Sequence, residues 1–203
     1  MRHWLCWLGC LAFTAYNYAI YAFSIHFGPL FLLWVAVLGL SLFALIGGLT
    51  TLQGRALTDR VGAPDVRWVG GFLIAVAGLF GLLWLSEIVP DLLAGRPSTS
   101  AAAWVVPTNP VHVLDLAFFL PAVALSGATV LRRRWLGHAT AAGQLIFLAL
   151  TCLPVLITPV VGQVRGHQPV WSAAGPVGVL LLATALLLWR YLKAVPAEVV
   201  NPT

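Results

Sequence analysis

The chain alternates long apolar stretches with short polar connections. Six stretches are each close to the roughly 20 residues that a helix needs to cross the hydrocarbon of a bilayer. The pattern predicts an all-α fold, with 1–203 forming a single membrane domain of six transmembrane helices. The helices are expected at about 4–23, 29–51, 68–89, 110–131, 136–162 and 174–193.

Asn109 and Pro110 mark the start of the fourth predicted helix. The side chain of asparagine can accept hydrogen bonds from the free amides of a first helical turn. Proline is favoured at the first helical position, where a missing N–H is not needed. The pair therefore predicts a helix that begins at Pro110.

The composition excludes an ordinary soluble domain. Hydrophobic residues make up 61% of the chain and charged residues 8%, whereas about 25% of the residues in a soluble domain are charged. The net charge of +5 comes from short loops beside the apolar stretches, so no nucleic-acid partner is expected. The three cysteines form no C-x-x-C pair, which gives no support to a zinc ribbon or a thiol-redox centre.

Loops rich in lysine and arginine alternate along the chain with loops that carry few of these residues. Two of them, Arg96 and Arg165, fall on one side of the predicted helices, and the other nine fall on the opposite side. Cytoplasmic loops carry the excess of positive charge. The sequence therefore predicts that both termini are cytoplasmic in a bacterial inner membrane, with membrane lipid as a partner. The nine residues are Arg2, Arg55, Arg60, Arg67, Arg132, Arg133, Arg134, Arg190 and Lys193.

A set of polar residues falls on the outer halves of the first, third and fourth predicted helices. Glu87 and Asp115 are two of only six carboxylates in the chain, and both lie in or beside apolar helices. Ionisable groups in such places usually face a bundle interior or a water-filled cavity. Asn17 and Tyr21 share a face of the first helix, and His112 is three residues before Asp115. We expect these five residues to converge on an outward-facing pocket for a small molecule or a lipid.

Three functions are compatible with such a set. The leading one is non-enzymatic binding or transport of a ligand, with Glu87 and Asp115 as equal candidates for the polar anchor. A second is an intramembrane metal-dependent hydrolase that uses Glu87, His112 and Asp115, although no H-E-x-x-H spacing is present. A third is a structural subunit of a membrane complex, in which Asp115 bonds helix-end amides and Glu87 reaches the interface.

The fifth predicted helix carries Gln144, Thr151 and Thr158 at intervals of seven residues, with Pro154 and Pro159 among them. Residues seven apart lie on one face of a helix. One interpretation is a polar track or a hinge for transport. The other is a kinked helix whose threonines bond their own backbone.

The third predicted helix contains Gly71-xxx-Ala75 and Ala77-xxx-Gly81. Small residues four apart allow membrane helices to approach closely. The spacing predicts a packing seam, either within the chain or between copies of a homo-oligomer.

Two stretches resemble a group of uncharacterised small multi-pass membrane proteins from bacterial, largely actinobacterial, genomes. One is Tyr16-Asn17-Tyr18-Ala19 continuing to Phe31-Leu32-Leu33. The other joins Glu87-Ile88-Val89-Pro90 to the segment from Thr108 to Leu116, which includes His112 and Asp115. The resemblance implies the fold and the location, and it implies no chemistry.

Overall fold

The computed structural model describes residues 2–25, 27–51, 63–166, 168 and 171–195. Every regular element within these ranges is a helix, so the predicted all-α fold class is confirmed. The helices are α1 (Arg2–Ser24), α2 (Phe31–Thr50), α3 (Ala63–Leu93), α4 (Thr99–Ala103), α5 (Pro110–Leu131), α6 (Trp135–Val164) and α7 (Ala174–Ala194).

Five of these helices are long and apolar enough to cross a membrane, namely α2, most of α3, α5, α6 and α7. Helix α1 lies at the position of the first predicted span and has 23 residues, but it is not among the five. Its second half carries Asn17, Tyr18 and Tyr21, which lower its hydropathy. The described ranges therefore contain six long helices where six were predicted, and five of these have the hydropathy of a span.

The third helix is longer than predicted. Its predicted end at residue 89 is wrong, because α3 continues through Pro90 to Leu93. The turn after Pro90 is held from outside the helix: the Asp91 carboxylate accepts hydrogen bonds from Arg96 Nε at 2.6 Å and from the Thr99 backbone N–H at 2.8 Å. These bonds stabilise the last turn, which lacks the N–H of proline.

Helix α6 lies at the centre of the bundle. It packs against α1, α5 and α7, while α3 packs against α5 on one side of the bundle and α2 packs against α1 on the other. Ala141, Ala142 and Leu145 of α6 are completely buried. The core is therefore built around one helix, and α2 forms the edge of the bundle.

Two pairs of glycines allow the closest helix crossings. A methyl group on Gly127 of α5 would lie 2.8 Å from the carbonyl oxygen of Gly70 on α3. A methyl group on Gly9 of α1 would lie 2.8 Å from the carbonyl oxygen of Gly143 on α6. Both contacts bring backbone against backbone, so side chains larger than hydrogen do not fit.

The predicted glycine seam within the chain is wrong for Gly71 and Gly81. No described residue comes within 4 Å of a methyl group built on either glycine. The helix surface that packs against α5 carries Gly70, whose added methyl group would lie 2.6 Å from Leu131 Cγ. A shift of one residue turns a helix by about 100°, which is why Gly71 faces away from α5.

The two ends of the described chain meet at one face of the bundle. Arg2, at the start of α1, donates from Nε to the backbone oxygen of Val195 at 2.6 Å. Val195 directly follows the last residue of α7. The first and the last long helix therefore have these ends on the same face.

Candidate functional site

The start of α5 forms as its sequence predicts. The Asn109 side chain accepts hydrogen bonds from the backbone N–H groups of Val111 and His112, and Pro110 is the first helical residue. One turn later, residues Asp115–Phe119 form a π-helical turn. Pro121 follows this turn and lacks the N–H that a regular helix would use there. Such turns are frequent at functional sites, and here the turn carries Asp115.

Asp115 joins three helices. Its carboxylate is 7% exposed, and each of its oxygens accepts a hydrogen bond. The Tyr16 hydroxyl of α1 donates to Oδ1 at 2.7 Å, and the Trp84 indole N–H of α3 donates to Oδ2 at 2.8 Å. A buried carboxylate needs such donors, because leaving it unbonded in an apolar setting costs several kcal/mol. Asp115 is therefore a buried residue that links α1, α3 and α5 through hydrogen bonds.

Glu87 and His112 form the outer part of the same cluster. The His112 imidazole lies against the Trp84 ring, with centroids 4.7 Å apart. His112 Nε2 is 3.4 Å from Glu87 Oε2, and this contact does not have hydrogen-bond geometry, since Nε2 has no bond to the described residues. The His112 side chain is 7% exposed and that of Glu87 is 47% exposed. The structure thus brings together Glu87, His112 and Asp115, with Glu87 at the surface.

Asn17 and Tyr21 do not join this cluster. Asn17 donates from Nδ2 to the Phe13 backbone oxygen of its own helix at 2.8 Å. Tyr21 is 41% exposed and lies against Trp34 of α2, with ring centroids 5.7 Å apart. The residue of α1 that does reach the cluster is Tyr16, which the sequence analysis did not select.

Position on the buried face of α1 could have identified Tyr16. Leu8 and Ala15 are buried in the bundle, and Tyr16 lies two helical turns after Leu8 along the same face. Polarity alone favoured Asn17 and Tyr21 among the residues of α1. Spacing relative to the small and apolar residues would have favoured Tyr16.

Two aromatic rings hold Tyr16 in place. Phe119 and Phe147 stack with centroids 4.0 Å apart, and the Tyr16 ring meets Phe147 edge-on at 5.1 Å. Stacked and edge-to-face pairs of this kind are favourable beyond the area they bury. The Tyr16 hydroxyl therefore points at Asp115 from a fixed ring.

The other face of these rings borders an apolar groove of about 620 Å³ between α1, α2, α5 and α6. Its rim includes Phe118 and Leu125, which are 68% and 56% exposed, so the groove opens sideways from the bundle. Ligand sites in proteins span about 300–1,000 Å³. The polar side chains that line the groove are Tyr16, Ser126, Thr129, Thr140 and Gln144.

A second cavity of about 540 Å³, which we call the outer pocket after its place in the predicted topology, lies at the C-terminal end of α1 beside the segment that precedes α5. Its lining includes Phe23, Ser24 and Thr108. Ala19 and Leu114 line both this outer pocket and the groove. The two cavities therefore adjoin, and neither is lined by Glu87, Asp115, His112, Asn17 or Tyr21.

The polar residues of α6 separate into two kinds. Thr151 donates to the Phe147 backbone oxygen at 2.9 Å, and Thr158 donates to that of Pro154 at 2.7 Å. These bonds favour the interpretation of a proline-bearing helix whose threonines bond their own backbone. Gln144 differs, because it lines the groove.

Within the described ranges, no three His, Cys, Asp or Glu side chains lie close enough together to share a metal ion. Both oxygens of Asp115 are already bonded to Tyr16 and Trp84. The hydrolase interpretation of Glu87, His112 and Asp115 therefore gains no support from their arrangement.

The length and hydropathy of five helices indicate a multi-pass helical membrane protein. No protein-family model matches the chain, and neither the curated proteins nor the solved structures contain a match to it.

Proposed function

We propose that this chain is a six-span protein of a bacterial inner membrane, with both termini in the cytoplasm, that binds or transports a small molecule or a lipid through an outward-facing pocket. The observation that carries this proposal is the contact between the outer pocket and the groove at Ala19 and Leu114. A ligand bound there has an outer end near Thr108 and an apolar end among α1, α2, α5 and α6.

The hydrogen bond between Arg2 and Val195 supports six spans. An odd number of crossings would put the start of α1 and the end of α7 on opposite sides of the membrane. Their 2.6 Å contact favours an even number, which supports a crossing by α1 in addition to the five more apolar helices. The excess of basic residues that the sequence predicts on the side of both termini then favours a cytoplasmic location for this face.

In this proposal Asp115 is a positioning residue. It holds the Tyr16 hydroxyl at 2.7 Å, and the Tyr16 ring lines the groove. Glu87 and His112 remain candidates for contact with a ligand at the outer surface, because the Glu87 carboxylate is half exposed. Asn17 and Tyr21 have a smaller part than the sequence analysis gave them.

Filling the groove tests the proposal. Ala122 of α5 lines the groove and is exposed, whereas Ala75 is exposed on the outer surface of α3. Ala122→Phe should occupy ligand space without disturbing the core, and Ala75→Phe adds the same side chain away from the groove. The measurement is native mass spectrometry of each purified protein.

We expect a ligand that co-purifies with the unchanged protein and with Ala75→Phe, and that is lost from Ala122→Phe. An identical set of bound molecules in all three proteins would contradict the proposal and favour a structural subunit.

A further inference from the structure

The hydroxyl groups of the groove have no hydrogen to offer a ligand. Thr129 donates to the Leu125 backbone oxygen at 2.7 Å, and Thr140 donates to that of Leu136 at 2.8 Å. Ser126 and Thr140 lie 2.8 Å apart. With the Thr140 hydrogen donated to Leu136, Ser126 is the donor of that pair. Together with the bond from Tyr16 to Asp115, this commits every hydroxyl hydrogen in the groove.

Gln144 is the exception. Its side chain forms no hydrogen bond with the rest of the described chain, although it lines the groove beside Gly143. It is nine residues along α6 from Trp135, which is about 14 Å at 1.5 Å per residue. Measured from an interface set at Trp135, this depth is near the middle of a bilayer about 30 Å thick. A polar group at that depth is costly and usually marks a functional contact.

Neither cavity has a charged side chain among its lining residues. An anion taken from water into such a cavity needs a positive charge or several donors to offset its lost hydration. The Gln144 amide is the one free donor group in the groove, and Arg96 near the outer end is paired with Asp91 at 2.6 Å. The described residues thus disfavour a phosphate-bearing ligand.

We propose that the groove binds an uncharged amphiphile, and that the Gln144 amide bonds a carbonyl or hydroxyl group of this ligand while its hydrocarbon fills the apolar space. This inference rests on the proposed function and names the ligand class. Diacylglycerols, polyprenols and quinones share the required chemistry.

Two lipids that differ only in a phosphate group test whether the groove disfavours a charged ligand. Dioleoylglycerol and dioleoyl phosphatidic acid have the same acyl chains, and only the second carries a phosphate. Binding of each to the purified protein is measured by native mass spectrometry over a concentration series. We expect at least roughly ten-fold tighter binding of dioleoylglycerol, because a phosphate finds too few donors in the groove.

Gln144→Leu tests whether the Gln144 amide forms a hydrogen bond with the ligand. The variant should bind dioleoylglycerol roughly three- to thirty-fold more weakly, as expected for one hydrogen bond in a membrane. Its melting temperature without lipid should be unchanged or higher, since an unbonded amide is removed. Gln163→Leu, at the exposed outer end of α6, is the matched control and should bind like the unchanged protein.

The outcomes separate the two proposals. If both lipids bind equally and Ala122→Phe abolishes both, the groove is a lipid site but the uncharged class is wrong. If Gln144→Leu binds like Gln163→Leu, the assigned contact is wrong. Failure of dioleoylglycerol to bind would overturn the uncharged class alone, whereas the proposed function is overturned only if the Ala122→Phe and Ala75→Phe proteins carry the same bound molecules.

Discussion

The Tyr16 hydroxyl on α1 donates a 2.7 Å hydrogen bond to the Asp115 carboxylate on α5, 99 residues further along the chain. The same carboxylate accepts the Trp84 N–H of α3. One buried side chain thus fixes three helices at the depth where the groove meets the outer pocket. Both the shape of the groove and the stability of the bundle therefore depend on this contact.

Tyr16→Phe should therefore destabilise the bundle. The change leaves Asp115 Oδ1 buried without its donor, at a cost of about 1–3 kcal/mol. The measurement is the unfolding midpoint in detergent. Tyr18→Phe is the matched control, because the Tyr18 hydroxyl has no hydrogen bond to the described residues. Equal midpoints for the two variants would mean that the Asp115 contact contributes nothing.

The two carboxylates of the cluster should respond differently to amide substitution. Asp115→Asn keeps one oxygen for the Trp84 N–H and turns its NH₂ group toward the Tyr16 hydroxyl, which must then accept and leaves its own hydrogen unbonded in a buried setting. Glu87 is half exposed and 3.4 Å from His112, and exposed ion pairs contribute about 0–1 kcal/mol. Unfolding measurements should show a clear loss for Asp115→Asn and little change for Glu87→Gln. The reverse order would place the structural carboxylate at Glu87.

Neighbouring glycines of α3 provide a test of the packing. Gly70→Ala brings a methyl group to 2.6 Å from Leu131 Cγ and should cost about 1–3 kcal/mol through overpacking. Gly71→Ala meets nothing within 4 Å and should be neutral or stabilising by up to about 1 kcal/mol, since alanine favours helix. Unfolding midpoints of the two variants compare them directly. A loss for Gly71→Ala alone would point to a seam with another copy.

Reporter fusions test the proposed topology. A fluorescent protein that folds only in the cytoplasm should fluoresce when it is joined to either terminus, because six crossings return the chain to its starting side. A phosphatase that is active only outside the inner membrane should be active when it is inserted after Ser98, in the connection between α3 and α5. Fluorescence at one terminus and not at the other would mean an odd number of crossings.

The sequence by itself determined the helices and their approximate limits. Each is encoded locally, by an apolar stretch of sufficient length and by end signals such as Asn109 and Pro110, whose hydrogen bonds lie within a few residues. The same local information placed Glu87, His112 and Asp115 near the ends of their helices. It misjudged the end of α3, because the bonds from Arg96 and Thr99 that hold the turn after Pro90 come from outside the helix.

Only the tertiary structure decided which face of each helix meets a neighbour. In a soluble helix the apolar stripe marks the buried face, but a lipid-facing surface is as apolar as a core. Polarity and small-residue spacing therefore pointed to Tyr21 and Gly71, while the bundle uses Tyr16 and Gly70. The groove is likewise a property of the assembled helices, since it exists because α2 packs on α1 and leaves a space toward α5 and α6.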